Sequence, residues 1–278
     1  GVAGSLDSLL NEVGADDDEL TSIFDFVNGN GSIQFPDANF VDLGISDSIG
    51  QPQSIAVGFL SDNFARSSKR SGAWMSTYRD PMNLTQEVRP IVVNNNNFSQ
   101  GPEGKPTLLS IDDARTLFHE FGHGLHGLLS QVKFPRLSGT SVLRDFVEFP
   151  SQVYENWLMQ PQILKEFALH AETGEPMPKA LIEKILAAQT FNQGFTTVEY
   201  VSSALVDLAL HETIDIEHLN FQEFESKTLE SIQMPPAIGM RHRLPHFSHL
   251  FSSNSYASAY YVYMWAEVLD ADGFDAFI

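Results

Sequence analysis

His119-Glu120-Phe121-Gly122-His123 lies inside a run whose apolar residues recur with helical spacing. Residues four apart share one helical face, so two imidazoles project side by side there. Such a pair can bind one metal ion, and the Glu beside the first His can reach a water on that metal. The run from Asp112 to Leu129 reads as the helix, packing through Leu117, Phe118, Phe121, Leu125, Leu128 and Leu129. Ser110 followed by Asp113 supplies a cap and an acid in the first turn. The string is short and also occurs by chance in helices that bury His without metal, so its context decides. Zinc needs a third protein ligand and an open position, so a fold that uses the pair must bring further residues to it.

His126 lies on the same face, seven residues after His119. A helix rises about 5.4 Å per turn, so three residues along one face do not readily converge on a coordination sphere of about 2 Å radius. The metzincin arrangement requires a His six residues beyond the second one, and that position is Leu129. Glutamates further on are the alternative. Glu148 lies in Arg144-Asp145-Phe146-Val147-Glu148-Phe149-Pro150-Ser151-Gln152, where a second helix could carry it across the first. By itself Glu148 also reads as an exposed helix acid.

Composition narrows the function classes. The chain has 278 residues and no Cys, which excludes disulfides, a thiol nucleophile and thiolate metal ligands. It leaves the redox compartment open. The formal charge of −20 disfavours nucleic acid and anionic membrane surfaces as partners, because both need clustered Lys and Arg. No apolar run is long enough to span a bilayer.

The charge is unevenly spread, and no Lys or Arg precedes Arg66. Residues 1–50 therefore read as an acidic segment of uncertain structure, and 51–278 as the working domain. Within the first segment, residues 16–26 read as a short helix. Asn28-Gly29-Asn30-Gly31-Ser32-Ile33 resembles part of a calcium loop spanning 26–37. The first ligand position is Phe26 and the last is Asp37, which favours a polar turn. Strands are expected at 54–59, 72–78 and 91–93, with Asn94 to Pro106 as a loop. Helices are expected from Pro178, at 196–212 and at 221–232, then a Pro-rich loop at 235–255 and a last helix at about 256–270.

Four blocks in order make the chain recognisable. They are Lys69-Arg70-Ser71-Gly72-Ala73-Trp74-Met75, then Phe118 to His126, then Ser138-Gly139-Thr140 through Arg144–Gln152 to Glu155-Asn156-Trp157. The last runs from Phe247-Ser248-His249 through Tyr256 to Trp265. This pattern resembles the thimet oligopeptidase and peptidyl-dipeptidase Dcp family of zinc metallopeptidases. The resemblance implies one zinc held by His119, His123 and Glu148, with Glu120 as general base. It implies that Tyr256 and Tyr263 donate hydrogen bonds to the developing oxyanion and that His249 contacts the substrate backbone. A phenolic O–H aimed at a tetrahedral oxyanion is a sound source of transition-state stabilisation. By spacing alone, Tyr256, Tyr260 and Tyr263 would share a helix face and serve packing equally well. Glu155 or Asp145 is expected to orient a ligand His. Arg241 or Arg243 could pair with a substrate carboxylate or stay solvated. Trp74 marks a strand whose edge could hold an extended peptide.

Two departures stand out. Family members usually carry Gly-Gly-Tyr where this chain has Ser253-Asn254-Ser255-Tyr256, which should be stiffer. They are also much longer, so the chain reads as a portion of such an enzyme. The expectation is a mainly α fold with a small β-sheet near the N-terminus, zincin-like, acting on short peptides in the cytoplasm. The rival is an inactive remnant that binds zinc and peptide without turnover.

Overall fold

The computed structural model describes residues 40–46 and 52–278. The expected helix at 16–26 and the calcium-like loop at 26–37 lie outside these residues. The fold is mainly helical, with one small sheet towards the N-terminal side. The sheet contains β1 (Phe40–Ser46), β2 (Pro52–Phe64), β3 (Trp74–Arg79) and β4 (Ile91–Phe98), in the spatial order β1-β2-β4-β3. β1 and β2 pair antiparallel, β2 and β4 parallel, and β3 and β4 antiparallel.

β4 runs past Val93, where a loop was expected, and takes in Asn94 to Asn97. Asparagine is depleted in strands because its amide competes for backbone partners. Here two of those amides have fixed partners, although Asn94 Oδ1 and Asn96 Oδ1 are buried without one among the described residues. Asn96 Nδ2 donates to Asn63 Oδ1 at 3.0 Å, and Asn97 Nδ2 donates to the carbonyls of Arg70 and Gly72 at 2.8 and 2.7 Å. The Lys69 ammonium ties the adjoining backbone together by donating to the carbonyls of Asp62 and Asn96. With a strand on either side, Val92 and Asn96 are fully buried.

Helix α1 (Ile111–Leu128) starts with a complete capping box. The Asp113 N–H donates to Ser110 Oγ at 3.0 Å, and the Ser110 N–H donates to Asp113 Oδ2 at 3.1 Å. α1 packs on β3 and β4 through one side and on helix α3 (Phe149–Leu158) through another. Glycine is required for the approach to α3, where backbone atoms face it, and eases the approach to the sheet. A Cβ on Gly127 would lie 2.7 Å from Met75 Cε, and one on Gly122 would lie 2.6 Å from Ser151 Cα. The short helix α2 (Arg144–Val147) precedes α3, and α4 (Pro161–Phe167) follows it. Phe118, Tyr154, Trp157, Ile163 and Phe274 form the core around α1 and α3. Phe118 stacks on Tyr154 with centroids 5.4 Å apart, and Trp157 meets Phe274 edge-on at 5.0 Å.

The chain divides into two compact units. One holds the sheet, α1, α3 and α4 and comprises residues up to Leu143, Val147–Met177 and Val268–Ile278. The other comprises Arg144–Phe146 and Pro178–Glu267. The second unit contains α5 (Lys179–Gln189), α6 (Gln193–Glu212), α7 (Phe221–Ser231) and α8 (Ser248–Phe251). Its core gathers Val206, Leu210, Leu244, Phe247, Leu250 and Tyr260. The last helix, α9, spans Val262–Asp275, so it begins six residues later than the apolar pattern suggested. Residues 256–261 are turns instead, and Ser258 adopts φ +57°.

Candidate metal centre

α1 presents His119 and His123 one turn apart, and Glu148, at the N-cap of α3, meets both. Glu148 Oε2 is 3.3 Å from His119 Nε2 and 3.1 Å from His123 Nε2. The three side chains offer ligand atoms that all lie within 4.8 Å of one another. Zinc bonds of about 2.0–2.1 Å in a tetrahedron set ligand atoms roughly 3.3 Å apart, so the two Glu148–His separations match that ion and the donor types suit it. Two imidazoles and one carboxylate also leave a fourth position for water or substrate. Glu148 is 1% exposed, and its carbonyl accepts from Ser151 Oγ at 2.8 Å, which anchors the turn that delivers it.

His126, the other candidate on α1, stays outside the trio. It lines a cavity of about 530 Å³ whose wall includes Leu125, Val153, Trp157 and Phe277. Burial and the neighbouring His123 depress its basicity.

Glu155, one helical turn and a half beyond the start of α3, orients the first histidine. His119 Nδ1 donates to Glu155 Oε1 at 2.6 Å, which leaves Nε2 facing Glu148. Burial pulls the His119 pKa down, but the hydrogen bonds to Glu148 and Glu155 outweigh it and lift the pKa to about 10. Burial pushes Glu148 upward, but its bonds to His119 and His123 win and hold it well below the ordinary carboxylate range.

Glu120 stands apart electrostatically. It is 5% exposed, and its Oε2 has no hydrogen-bond partner among the described residues. Burial raises its pKa to about 7; the nearby Glu148 and Glu155 add to the rise and His119 opposes it. A carboxyl group poised there can both take and return a proton at neutral pH. His123 Nδ1 is likewise buried without a partner among the described residues.

Tyr256, Tyr263 and His249 belong to the second unit and form a ring cluster within it. Tyr256 and Tyr263 stack nearly parallel at 5.9 Å. His249 meets their edges at 5.7 and 6.1 Å. The Arg144 guanidinium covers the Tyr256 ring at 5.2 Å. The tyrosines were expected along one helix face, but only Tyr263 is helical. Arg243 is engaged inside the unit, where its Nε pairs with the buried Glu225. Glu225 also accepts the Leu244 N–H at 3.1 Å. The buried acids Glu225 and Asp207 escaped the sequence reading. The available signal for Asp207 was a charge between Val206 and Leu208 in an apolar stretch.

Residues 43–278 match the sequence profile of peptidase family M3. The chain belongs to peptidase family M3. It is 38% identical over 248 residues to a dipeptidyl carboxypeptidase of Salmonella typhimurium, a match covering 88% of this chain and 35% of that protein. It is 40% identical over 222 residues to the dipeptidyl carboxypeptidase of Escherichia coli, covering 79% and 32%. Against oligopeptidase A of Escherichia coli the identity is 38% over 249 residues, covering 87% and 35%. The chain thus spans about a third of the length of these M3 relatives. The M3 profile begins within β1. Among the described residues, no helix is long and apolar enough to cross a membrane.

Proposed function

We propose that this chain carries the catalytic site of a zincin-like zinc metallopeptidase that hydrolyses peptide bonds in short peptides in the cytoplasm. The observation that carries the reading is the convergence of His119, His123 and Glu148 beside a buried, partnerless Glu120 oxygen. His119 and His123 through Nε2, and Glu148 through Oε2, would hold one zinc ion. Bound zinc supplies Lewis acidity, lowering the pKa of a water and polarising a carbonyl.

The chain's own residues do the rest. Glu155 fixes the His119 tautomer so that Nε2 keeps its lone pair for the metal. Glu120 takes the proton of the attacking water and passes it to the leaving amine, a role that its buried carboxyl beside His119 suits. Tyr256 and Tyr263 donate hydrogen bonds to the substrate oxyanion, and His249 holds the substrate backbone. β3 pairs with β4 alone among the described strands, so its other edge can take an extended peptide as an added strand. Arg70 steadies that edge by capping the Trp74 ring at 4.7 Å.

The names of the relatives suggest two modes, release of C-terminal dipeptides and cleavage within oligopeptides. The test is a mixture of short peptides incubated with zinc-loaded protein and analysed by mass spectrometry, beside a Glu120→Gln control. Products that vanish in the control support the reading, and dipeptides from C-termini assign the first mode. Intact peptides in the presence of bound zinc would refute it.

A further inference from the structure

The segment from Tyr256 to Tyr263 is held by two side chains of a single helix, α6, and both act on its backbone. Asp207 is fully buried. Its Oδ1 accepts the Ser258 N–H at 3.0 Å and its Oδ2 accepts the Tyr260 N–H at 2.9 Å. Tyr200 lies seven residues earlier on the same helix, hence on the same face. Its hydroxyl donates to the Tyr260 carbonyl and accepts the Met264 N–H at 3.3 Å. Both backbone groups of Tyr260 are therefore taken by α6 side chains.

This arrangement accounts for the late start of α9. In a helix starting at Tyr256 the Tyr260 N–H would bond to the Tyr256 carbonyl, and the Ser258 N–H would be one of the unpaired donors of the first turn. Asp207 takes both of them, and Ser258 turns to φ +57° between the two bonds. A charged acceptor in a buried site outcompetes a neutral carbonyl for an N–H. His211, one turn further along α6, places Nδ1 2.8 Å from Asp207 Oδ1, the oxygen that accepts the Ser258 N–H, and 2.9 Å from the Asp207 carbonyl. Tyr260 goes into the core, while Tyr256 and Tyr263 stay partly exposed and stacked on each other.

We infer that Asp207, assisted by Tyr200, is a positioning residue that sets how Tyr256 and Tyr263 are presented to substrate. The inference rests on the reading above in which those tyrosines serve the reaction. It adds that their geometry is imposed by a buried carboxylate on α6 that touches neither substrate nor metal.

The test uses Asp207→Asn and Tyr200→Phe in the full-length protein, with Tyr256→Phe and Tyr263→Phe as references. The amide group of Asn retains one acceptor but presents N–H to N–H at the other oxygen's place. Misplacing a catalytic group by about 1 Å costs up to about 100-fold, so kcat should fall roughly 10- to 100-fold in Asp207→Asn with zinc content unchanged. KM should move far less than kcat. Hydrogen exchange should show loss of protection at Ser258 and Tyr260. Combining Asp207→Asn with Tyr263→Phe should cost little beyond the worse single variant, as expected for residues acting through one another. If Asp207→Asn fails to fold, Tyr200→Phe, which removes one hydroxyl, carries the same measurements. Tyrosine variants with full kcat would sink the tyrosine reading and this inference together. Impaired tyrosine variants beside Asp207→Asn and Tyr200→Phe at wild-type kcat would overturn the inference alone. So would an Asp207→Asn penalty that is fully additive with Tyr263→Phe.

Discussion

Gly122 sits between the two histidines of α1 at its closest contact with α3, so Gly122→Ala tests whether packing sets the metal site. The new Cβ would lie 2.6 Å from Ser151 Cα, 2.9 Å from the Pro150 carbonyl oxygen and 3.0 Å from Tyr154 Cβ. The first two are backbone atoms and cannot rotate away. Ordinary contact begins near 3.4 Å, so α1 and α3 must separate by about 0.8 Å. Overpacking of this kind costs about 1–3 kcal/mol, and the better helix propensity of Ala returns about 1 kcal/mol. The net loss of stability is then about 0–2 kcal/mol. The effect on metal should be larger. The same separation pulls His119 and His123 from Glu148, whereas ligand distances tolerate only about 0.2 Å. Zinc affinity should fall at least tenfold by chelator competition, with urea unfolding of the metal-free protein read alongside. Gly124→Ala is the control in the same helix. Its Cβ would meet only side-chain atoms, Phe59 Cε2 at 3.3 Å and Asn94 Oδ1 at 3.4 Å, so zinc affinity should stay within about threefold. Equal zinc affinity in Gly122→Ala and the wild type would show that this packing does not set the ligand geometry.

Glu155→Ala removes the 2.6 Å bond to His119 and should weaken zinc binding about 10- to 100-fold in the same competition assay, leaving the fold intact by circular dichroism. With His119 lifted to about 10, the metal-free protein carries that proton at pH 7, so zinc binding should release about one proton, measurable by titration calorimetry in buffers of different ionisation enthalpy. The same shift makes metal-free stability from His119 complete below pH 6.5 and lost as pH rises towards 10. The depressed Glu148 contributes above pH 4.5 and is lost on acidification, so chemical denaturation of the metal-free protein should show a maximum between these values. Phe247→Ala should cost about 3–5 kcal/mol in urea unfolding, because Phe247 is 1% exposed and meets Tyr260 edge-on at 4.7 Å.

Helix α1 was legible because its signals agree across levels. The Ser110 cap, the apolar stripe and the His spacing all demand the same register, and α1 adopts it. His126 and Glu148 were harder to separate, because spacing reports only on a residue's own helix, whereas Glu148 arrives from a turn fixed by Ser151 and by the packing of α3 on Gly122. The asparagine run looked like a loop because propensity overlooks partners such as Asn63, Arg70 and Gly72, distant in sequence. The late start of α9 was hidden for the same reason. The apolar pattern of 256–270 is helical, and the carboxylate that prevents it lies some fifty residues away on α6. Local pattern thus reported α1 faithfully and failed wherever a distant side chain took a backbone group for itself.

Two imidazoles and one carboxylate, from His119, His123 and Glu148, are proposed to hold a single zinc. X-ray absorption of the zinc-loaded protein, compared with its Glu148→Gln and His126→Ala variants, tests it most directly. The expected result is one zinc per chain with two imidazoles in its shell, zinc largely lost in Glu148→Gln, and an unchanged spectrum in His126→Ala. A shell of three imidazoles, or zinc retained at full occupancy by Glu148→Gln and lost by His126→Ala, would contradict it.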